Sequence, residues 1–145
     1  MIFKEKPEGF KPDIEVVGCL LRHKDKILLL HRHNNKSQGG KWGLPAGKVD
    51  KTDKDKADAL IREIQEETGL ILEKDKLIYH KTFFVHYPEK KYFYHYFETN
   101  IESVFDVCIK EDEHQNFCWV TPEEALNMPL VMDEEHCLKY VYGIK

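Results

Sequence analysis

The sequence predicts a single α/β domain in which a β-sheet lies between helices. Two apolar runs, residues 16–21 and 27–30, are too continuous for strands that face water on one side, so both faces of the sheet are expected to be covered. Between residues 47 and 70 the apolar period changes to that of a helix with one buried stripe. A length of 145 residues suits one domain with one core, which we place at residues 13–145.

The N-terminal region is expected to contain an arm followed by a hairpin. Residues 1–12 are polar and are interrupted by two prolines and a glycine, so we expect a loosely held arm with Phe3 and Phe10 as its docking side chains. Residues 14–33 then predict two antiparallel strands that are joined by a turn at residues 23–26.

A loop and an interrupted edge strand are expected before the helix. Residues 34–41 contain Gly, Asn and Ser and therefore predict a loop. The segment W-G-L-P-A-G at residues 42–47 predicts an edge strand, because Pro45 cannot donate a hydrogen bond to a neighbouring strand.

The helix has clear start and stop signals. Thr52 or Asp53 is expected to be its N-cap, with Asp55 in the first turn, and Gly69 is expected to end it in the left-handed conformation. Its apolar stripe is formed by Ala57, Leu60, Ile61, Ile64 and Thr68. A second stripe of similar width, beside the first, is formed by Glu63, Glu66 and Glu67.

After the helix, residues 76–87 and 91–97 predict a hairpin that turns at residues 88–90. This hairpin is unusually aromatic, which suits either cross-strand core packing or a stacking platform for a nucleobase. Core packing is the expected role of most of these rings, which are Phe83, Phe84, Tyr87, Tyr92, Phe93, Tyr94, Tyr96 and Phe97.

The C-terminal part predicts two short strands and two helices. The strands are expected at residues 104–109 and 117–120. Thr121 suits an N-cap with Pro122 in the first helical position, and residues 133–142 predict the last helix.

The three glutamates of the second stripe predict a cation site. A solvated acidic face is the common arrangement on helices, but Glu63 and Glu67 repel each other at i,i+4 by about 0.2–0.5 kcal/mol. No Lys or Arg follows Glu66 or Glu67 at three or four positions to compensate for this repulsion. Clustered carboxylate oxygens on one rigid face suit Mg²⁺ or Mn²⁺.

The segment at residues 47–70 resembles the box of the Nudix hydrolase family, the MutT-like proteins. The family pattern runs Gly, five residues, Glu, seven residues, then Arg-Glu-aliphatic-any-Glu-Glu-any-Gly-aliphatic, and residues 62–70 match its second half without a gap. In the first half Gly47 matches, but Asp53 stands where the family has Glu. Eight residues instead of seven separate Asp53 from Arg62, so the box loop carries one extra residue.

The resemblance implies the Nudix-type α/β/α sandwich with a mixed sheet and the box at the active site. It also implies a pyrophosphohydrolase that needs Mg²⁺, with Mn²⁺ as the alternative ion. In this family the metal would be bound by the carboxylates of Glu63, Glu66 and Glu67 and by the backbone carbonyl of Ala46, where relatives often have Gly.

The resemblance also implies catalytic roles. Arg62 would orient the carboxylates, and either Glu63 or a glutamate outside the box would accept the proton of the attacking water. Relatives often have a Glu followed by His a few residues before a strand that ends in Trp-Val, and Glu113 matches this position. An exposed acidic turn is the alternative for that segment.

Two further assignments concern the box loop and the substrate. Asp53 or Asp50 is expected to pair with Arg62 in place of the missing Glu, while Lys54 points to solvent. Arg32 matches a position where relatives hold a phosphate-contacting Arg, and Trp42 is assigned to substrate binding with it.

Composition limits the classes of function. Hydrophobic residues are 41%, charged residues are 33% and the net charge is −4, so a general basic surface for nucleic acid is absent. The four cysteines have no C-x-x-C spacing and are expected to be reduced thiols rather than zinc ligands. No signal peptide and no apolar run of membrane-spanning length is found, so a cytoplasmic location without membrane contact is expected.

Two other classes of function remain open beside the enzyme. A Nudix-like ligand sensor would need a DNA-binding module, for which 145 residues leave no room. A degenerate box in a ligand- or protein-binding module is conceivable because of the loop insertion, but the intact acidic cluster argues against it. The nucleotide or nucleotide derivative that serves as substrate is left open, as is a homodimer.

Overall fold

The sheet is built around the two strands in which the sequence places continuous apolar residues. The computed structural model describes all 145 residues. In chain order the elements are β1 (Ile2–Phe3), β2 (Ile14–His23), β3 (Lys26–Arg32), β4 (Trp42–Gly43), β5 (Ala46–Lys48), α1 (Lys56–Thr68), β6 (Ile78–Tyr87), β7 (Lys90–Asn100), β8 (His114–Val120), α2 (Pro122–Ala125) and α3 (Glu134–Tyr142), with a short 3₁₀ helix at Lys74–Lys76.

Strand β2 lies at the centre of a mixed sheet with the order β1-β6-β7-β2-β3-β4. It pairs in parallel with β7 along nine residues and antiparallel with β3 and β5, while β8 pairs with β3. The predicted hairpin of β2 and β3 is confirmed only at its tip, where Arg22 faces Ile27 and His23 faces Lys26. Beyond the tip the strands separate because β5 takes the edge of β2 at Val16.

The prediction that both faces of the sheet are covered is confirmed. Alternate side chains of β2 and β3 point to opposite faces, as the two-residue period of a strand requires. On one face Leu21 and Leu28 pack with Leu60 of α1, and on the other Leu29 packs with Leu138 of α3. Each buried leucine contributes about 1.5–3 kcal/mol relative to exposure, so both layers stabilise the sheet substantially.

The predicted strand at residues 104–109 is wrong, because this segment is irregular. Its alternating pattern comes from Phe105, Val107 and Ile109, which pack against the core on the α1 side. The backbone N–H of Cys108 donates to the carbonyl of Thr68, at the end of α1, and not to a strand. The alternation of apolar residues in this segment therefore reflects packing against the end of a helix, because no sheet edge is free to pair with the segment.

The later C-terminal elements agree better with the sequence. Strand β8 begins at His114, earlier than predicted, because it pairs with β3 as far as Arg32. The N-cap role of Thr121 is confirmed by a capping box with Glu124. Helix α3 follows Asp133 and covers the predicted range.

The N-terminal arm is more firmly attached than expected. Strand β1 pairs with β6, and the Phe10 side chain is only 6% exposed. Its ring stacks on Phe93 at 5.8 Å between centroids and meets Phe84 edge-on at the same distance. The expectation of a loosely held arm is therefore wrong, whereas docking of Phe10 is confirmed.

Two chain-wide properties complete the fold. All four cysteines are free, and Cys19 and Cys137 are buried. None of the helices has the length and apolar character that a membrane span requires.

Candidate active site

Helix α1 begins later than predicted, because its N-cap lies three residues after Thr52 and two residues after Asp53. Its N-cap is Asp55, whose side chain accepts a hydrogen bond from the N–H of Asp58 at 2.8 Å. Thr52 and Asp53 lie in the preceding turn, so both predicted N-caps are wrong. Asp53 is unavailable as a cap because its carboxylate binds an arginine of the helix.

That arginine is Arg62, which connects the helix to the box loop. Its Nε and Nη2 donate to the two carboxylate oxygens of Asp53 at 3.0 and 2.9 Å, and Nη2 also donates to the Lys48 carbonyl at 3.0 Å. Nη1 contacts Glu63 at 2.9 Å and Glu66 at 3.3 Å. The Arg62 hydrogen bonds lower the pKa of Asp53. The extra residue of the loop is thus accommodated with the expected pairing of Asp53 and Arg62 intact.

The far end of the helix also follows the box pattern. Gly69 has φ 82° and its N–H donates to the Gln65 carbonyl at 2.9 Å. This left-handed conformation is one that residues with a Cβ rarely adopt, so the predicted role of Gly69 in ending the helix is confirmed.

The three glutamates of the acidic stripe have different environments. Glu63 and Glu67 are buried, at 9% and 5% exposure, whereas the side chain of Glu66 is 48% exposed. A Cβ on Gly47 would lie 2.0 Å from Cδ and Oε2 of Glu63. A larger residue at this position would displace the Glu63 carboxylate, which lies against the backbone that follows Ala46. Burial raises the pKa of Glu63, although Arg62 opposes the shift.

Glu67 meets two residues from the start of β8. Its Oε2 lies 2.9 Å from Nδ1 of the buried His114, and the ligand atoms of Glu67, Glu113 and His114 all lie within 4.8 Å of one another. No other group of three or more such side chains in the chain converges this closely. Burial raises the pKa of Glu67, His114 lowers it and the nearby Glu113 raises it further.

A cleft of about 540 Å³ opens beside these groups. Of the residues that the sequence predicts for the site, the ones that line the cleft are Arg32, Ala46, Gly47, Glu63, Glu67 and Glu113. Arg62 and Glu66 do not line the cleft. Trp42 is not brought to the cleft either, because its ring stacks on His31 at 4.3 Å between centroids.

The cleft is also lined by cations, three of which sequence reasoning missed. Lys36, Lys48 and Lys90 line the cleft with Arg32, and none of the four forms an ion pair with a carboxylate. Partial burial lowers the pKa of Lys90, and the charges of Lys48 and Arg32 lower it further. Arg32 and Lys36 are near neighbours in the sequence, but Lys48 and Lys90 come from two other segments, so no spacing in the sequence signals that the four meet.

A buried carboxylate from α3 also reaches the cleft. Glu134 is 2% exposed and accepts hydrogen bonds from the hydroxyls of Tyr94 at 3.0 Å and Tyr96 at 2.6 Å. The Leu44 N–H donates to it at 3.4 Å. Burial raises the pKa of Glu134 despite these donors. An acid in the first turn of a helix ordinarily indicates an exposed partner of the helix dipole, so the sequence gives no sign of this burial.

Glu134→Gln is expected to stabilise the protein at neutral pH. Because the pKa of Glu134 is raised in the folded state, its contribution to stability is full below the unfolded pKa and is lost as pH rises through the folded pKa. Gln removes the buried charge, so we expect a gain on the order of 1–3 kcal/mol in the free energy of unfolding at about pH 7.5, which vanishes at about pH 4. Urea unfolding at both pH values measures it.

The exposed neighbour Glu135→Gln is the matched control on the same helix. A Glu134→Gln variant that is less stable than the unaltered protein at both pH values would show that the hydrogen bonds to the carboxylate outweigh its desolvation.

Comparisons with known proteins identify a matching family model and similar proteins. A family model described as NUDIX domain matches residues 12–141. The chain is 32% identical over 118 residues to the CTP pyrophosphohydrolase of Escherichia coli (strain K12), covering 81% of this chain and 82% of that protein. The crystal structure of a MutT protein from Methanosarcina mazei Go1 is similar with a TM-score of 0.75 at 29% identity, covering 92% of this chain and 94% of that one. A C. elegans Ap4A hydrolase in a binary complex gives 0.71 at 25% identity, covering 90% and 95%.

Proposed function

The chain belongs to the NUDIX domain family and is a pyrophosphohydrolase, and we propose that it cleaves, with Mg²⁺, the pyrophosphate bridge of a nucleoside diphosphate linked to a further moiety. The relatives support this class of substrate, since one is named a CTP pyrophosphohydrolase and another an Ap4A hydrolase. The substrates in both enzyme names are nucleotides that contain phosphoanhydride bonds.

The observation that carries the proposal is the presence of both kinds of charge in one cleft. The cleft is lined by the carboxylates of Glu63, Glu67 and Glu113 and by four cations without carboxylate partners. A diphosphate bound with a divalent cation would satisfy both sets of groups, because the ion neutralises the carboxylates and the phosphates neutralise the lysines. In a chain of net charge −4 this local cation cluster is a specific feature, not an effect of general basicity.

The residues present fit a divalent ion. Glu63 and Glu67 are buried with raised pKa values, and Oε2 of Glu67 has no hydrogen-bond partner in the structure. Buried carboxylates of this kind need a compensating charge. We propose that Glu63, Glu66, Glu67 and the Ala46 carbonyl hold the ion. When bound, it would neutralise the diphosphate and lower the pKa of the attacking water.

The protein's own groups would then perform the remaining tasks. Arg62 holds Glu63 in position through Nη1 and holds the box loop through Asp53. Glu113, at the edge of the cleft, would accept the proton of the attacking water, with Glu63 as the alternative acceptor. Arg32 and Lys90 would bind the phosphate oxygens as charge-assisted donors.

A panel of nucleotide derivatives tests the proposal. We expect turnover with at least one nucleoside polyphosphate, dinucleoside polyphosphate, nucleotide sugar or capped RNA in the presence of Mg²⁺, and none with EDTA. Hydrolysis in ¹⁸O-labelled water would place the label on a phosphate product and so identify cleavage at the bridge. Tight nucleotide binding without turnover across the panel would instead support the binding-module alternative.

Replacing the cationic side chains is expected to raise KM more than it lowers kcat. For Lys48→Ala and Lys90→Ala we expect KM to rise roughly tenfold each, since a hydrogen bond to a charged group is worth about 1.5–3 kcal/mol and 1.4 kcal/mol is a factor of ten. Steady-state kinetics on the best substrate measures the change. Lys51→Ala is the control, because Lys51 is an exposed residue of the turn that follows β5 and does not line the cleft. Equal effects at Lys51 and Lys48 would mean that only general charge matters.

A further inference from the structure

His114 is a buried titratable residue of the site to which the family pattern assigns no role. It is 7% exposed, and its Nδ1 lies 2.9 Å from Oε2 of Glu67. Although the two atoms are close, neither has a hydrogen-bond partner of acceptable geometry, and both are inaccessible to solvent. The 2.9 Å separation allows an ion pair between the two atoms, but a buried donor or acceptor without a hydrogen bond costs about 1–3 kcal/mol, so a shared ligand would satisfy both.

The geometry of the cluster matches the coordination sphere of a divalent ion. With bonds of about 2.1 Å, adjacent ligands of an octahedral ion lie about 3.0 Å apart and opposite ligands about 4.2 Å apart. The separation of His114 and Glu67 is 2.9 Å, and the carboxylate of Glu113 completes a group whose ligand atoms all lie within 4.8 Å. The two carboxylates repel each other at this distance, and a cation between them removes that repulsion.

The backbone holds the imidazole at this position. The N–H of His114 donates to the Lys110 carbonyl at 2.8 Å, and His114 pairs with Arg32 where the β3–β8 register shifts. His114 is therefore presented from a strand end and not from a free loop, which makes its orientation reproducible.

We propose that Nδ1 of His114 is a metal ligand together with the carboxylates of Glu67 and Glu113, and that this nitrogen donor makes the centre prefer Mn²⁺ to Mg²⁺. Imidazole suits transition metals, whereas Mg²⁺ is bound by oxygen donors. The carboxylate of Glu113 can bind through one oxygen and keep the other for the proton of the attacking water. The inference deepens the proposed function because it shares Glu67, but it concerns binding of the ion alone.

Mn²⁺ binding without substrate tests the inference. In the unaltered protein, electron spin echo spectroscopy of the Mn²⁺ complex should show coupling to a histidine nitrogen, and labelling with ¹⁵N-histidine should change that coupling. Absence of any histidine coupling in this folded, unaltered protein would overturn the proposal without recourse to a variant.

His114→Gln gives the complementary result. Gln replaces the nitrogen donor by an amide oxygen, so we expect Mn²⁺ affinity to fall about tenfold or more while Mg²⁺ affinity changes less than about threefold. The Mn²⁺ signal in a titration, with Mg²⁺ as competitor, measures both constants. His136→Gln is the control, since His136 is exposed on α3.

An unchanged preference between the two ions in His114→Gln would assign His114 to an ordinary ion pair with Glu67. The outcome is independent of turnover: nitrogen coupling in an inactive protein would refute the proposed function alone, and activity without coupling would refute this inference alone.

Discussion

Glu67→Gln should lower turnover by about two to three orders of magnitude while leaving the fold intact. A ligand carboxylate contributes several kcal/mol of charge stabilisation in the transition state, and about 3–4 kcal/mol corresponds to this loss in rate. Glu67 is 5% exposed and burial raises its pKa, so its charge is costly to the folded protein without an ion. Melting in EDTA should therefore be unchanged or slightly higher for the neutral variant.

Glu66→Gln should also remove most activity, although its environment differs. The Glu66 side chain is 48% exposed and contacts only Arg62, at 3.3 Å. Little of the fold depends on this exposed contact, because ion pairs of this kind are worth about 0–1 kcal/mol. A loss of turnover with an unchanged melting temperature would thus report the metal and not the structure.

Glu73→Gln is the matched control, since Glu73 is an exposed glutamate just beyond the helix. Rates are compared at saturating Mg²⁺, so that a weaker affinity for the ion is not mistaken for a loss of chemistry. Near-normal turnover in either Glu66→Gln or Glu67→Gln would refute the assignment of the acidic stripe to the metal.

Local patterns in the sequence predicted those parts of the fold that are determined by interactions between neighbouring residues. Gly69 ends α1 because only a residue without a Cβ readily adopts its left-handed conformation, and Thr121 starts α2 because its hydroxyl accepts an orphan N–H. The coverage of both sheet faces follows from the apolar character of β2 and β3. Each of these inferences needs only a few consecutive residues.

Features that depend on distant contacts were missed or misplaced. Asp53 looked like an N-cap, but its carboxylate binds Arg62 nine positions later and Asp55 caps the helix instead. The alternation at residues 104–109 reflects packing against the end of α1, a contact that propensity alone cannot distinguish from a strand.

The same limit applied to the site. The box pattern led to the acidic stripe, but the convergence of Glu67 with His114 depends on the β3–β8 register, and the cations Lys48 and Lys90 meet only because β5 and β7 flank β2. Tertiary structure was needed to show which carboxylates face one another and which lysines line the same cleft.

Glu113→Gln should lower kcat strongly and leave KM for the metal-bound substrate within a few-fold. The water that attacks phosphorus must lose a proton, and general-base catalysis contributes about 10²–10⁴ in rate. Glu113 lines the cleft beside Glu67, whereas its neighbours Glu111 and Asp112 are exposed and do not line it. Gln preserves the shape and the hydrogen-bonding capacity of the side chain but cannot accept the proton.

Glu111→Gln and Asp112→Asn are therefore the matched controls from the same acidic turn, and we expect them to change kcat by less than about twofold. Because Glu113 also belongs to the proposed manganese centre, kcat is measured at saturating Mn²⁺ and again at saturating Mg²⁺. A loss that persists at saturation with both ions separates the proton-acceptor role from simple loss of metal affinity. Equal, small losses at all three acidic positions would assign the turn to solvent and return the proton-acceptor role to Glu63, whose carboxylate Arg62 holds at 2.9 Å.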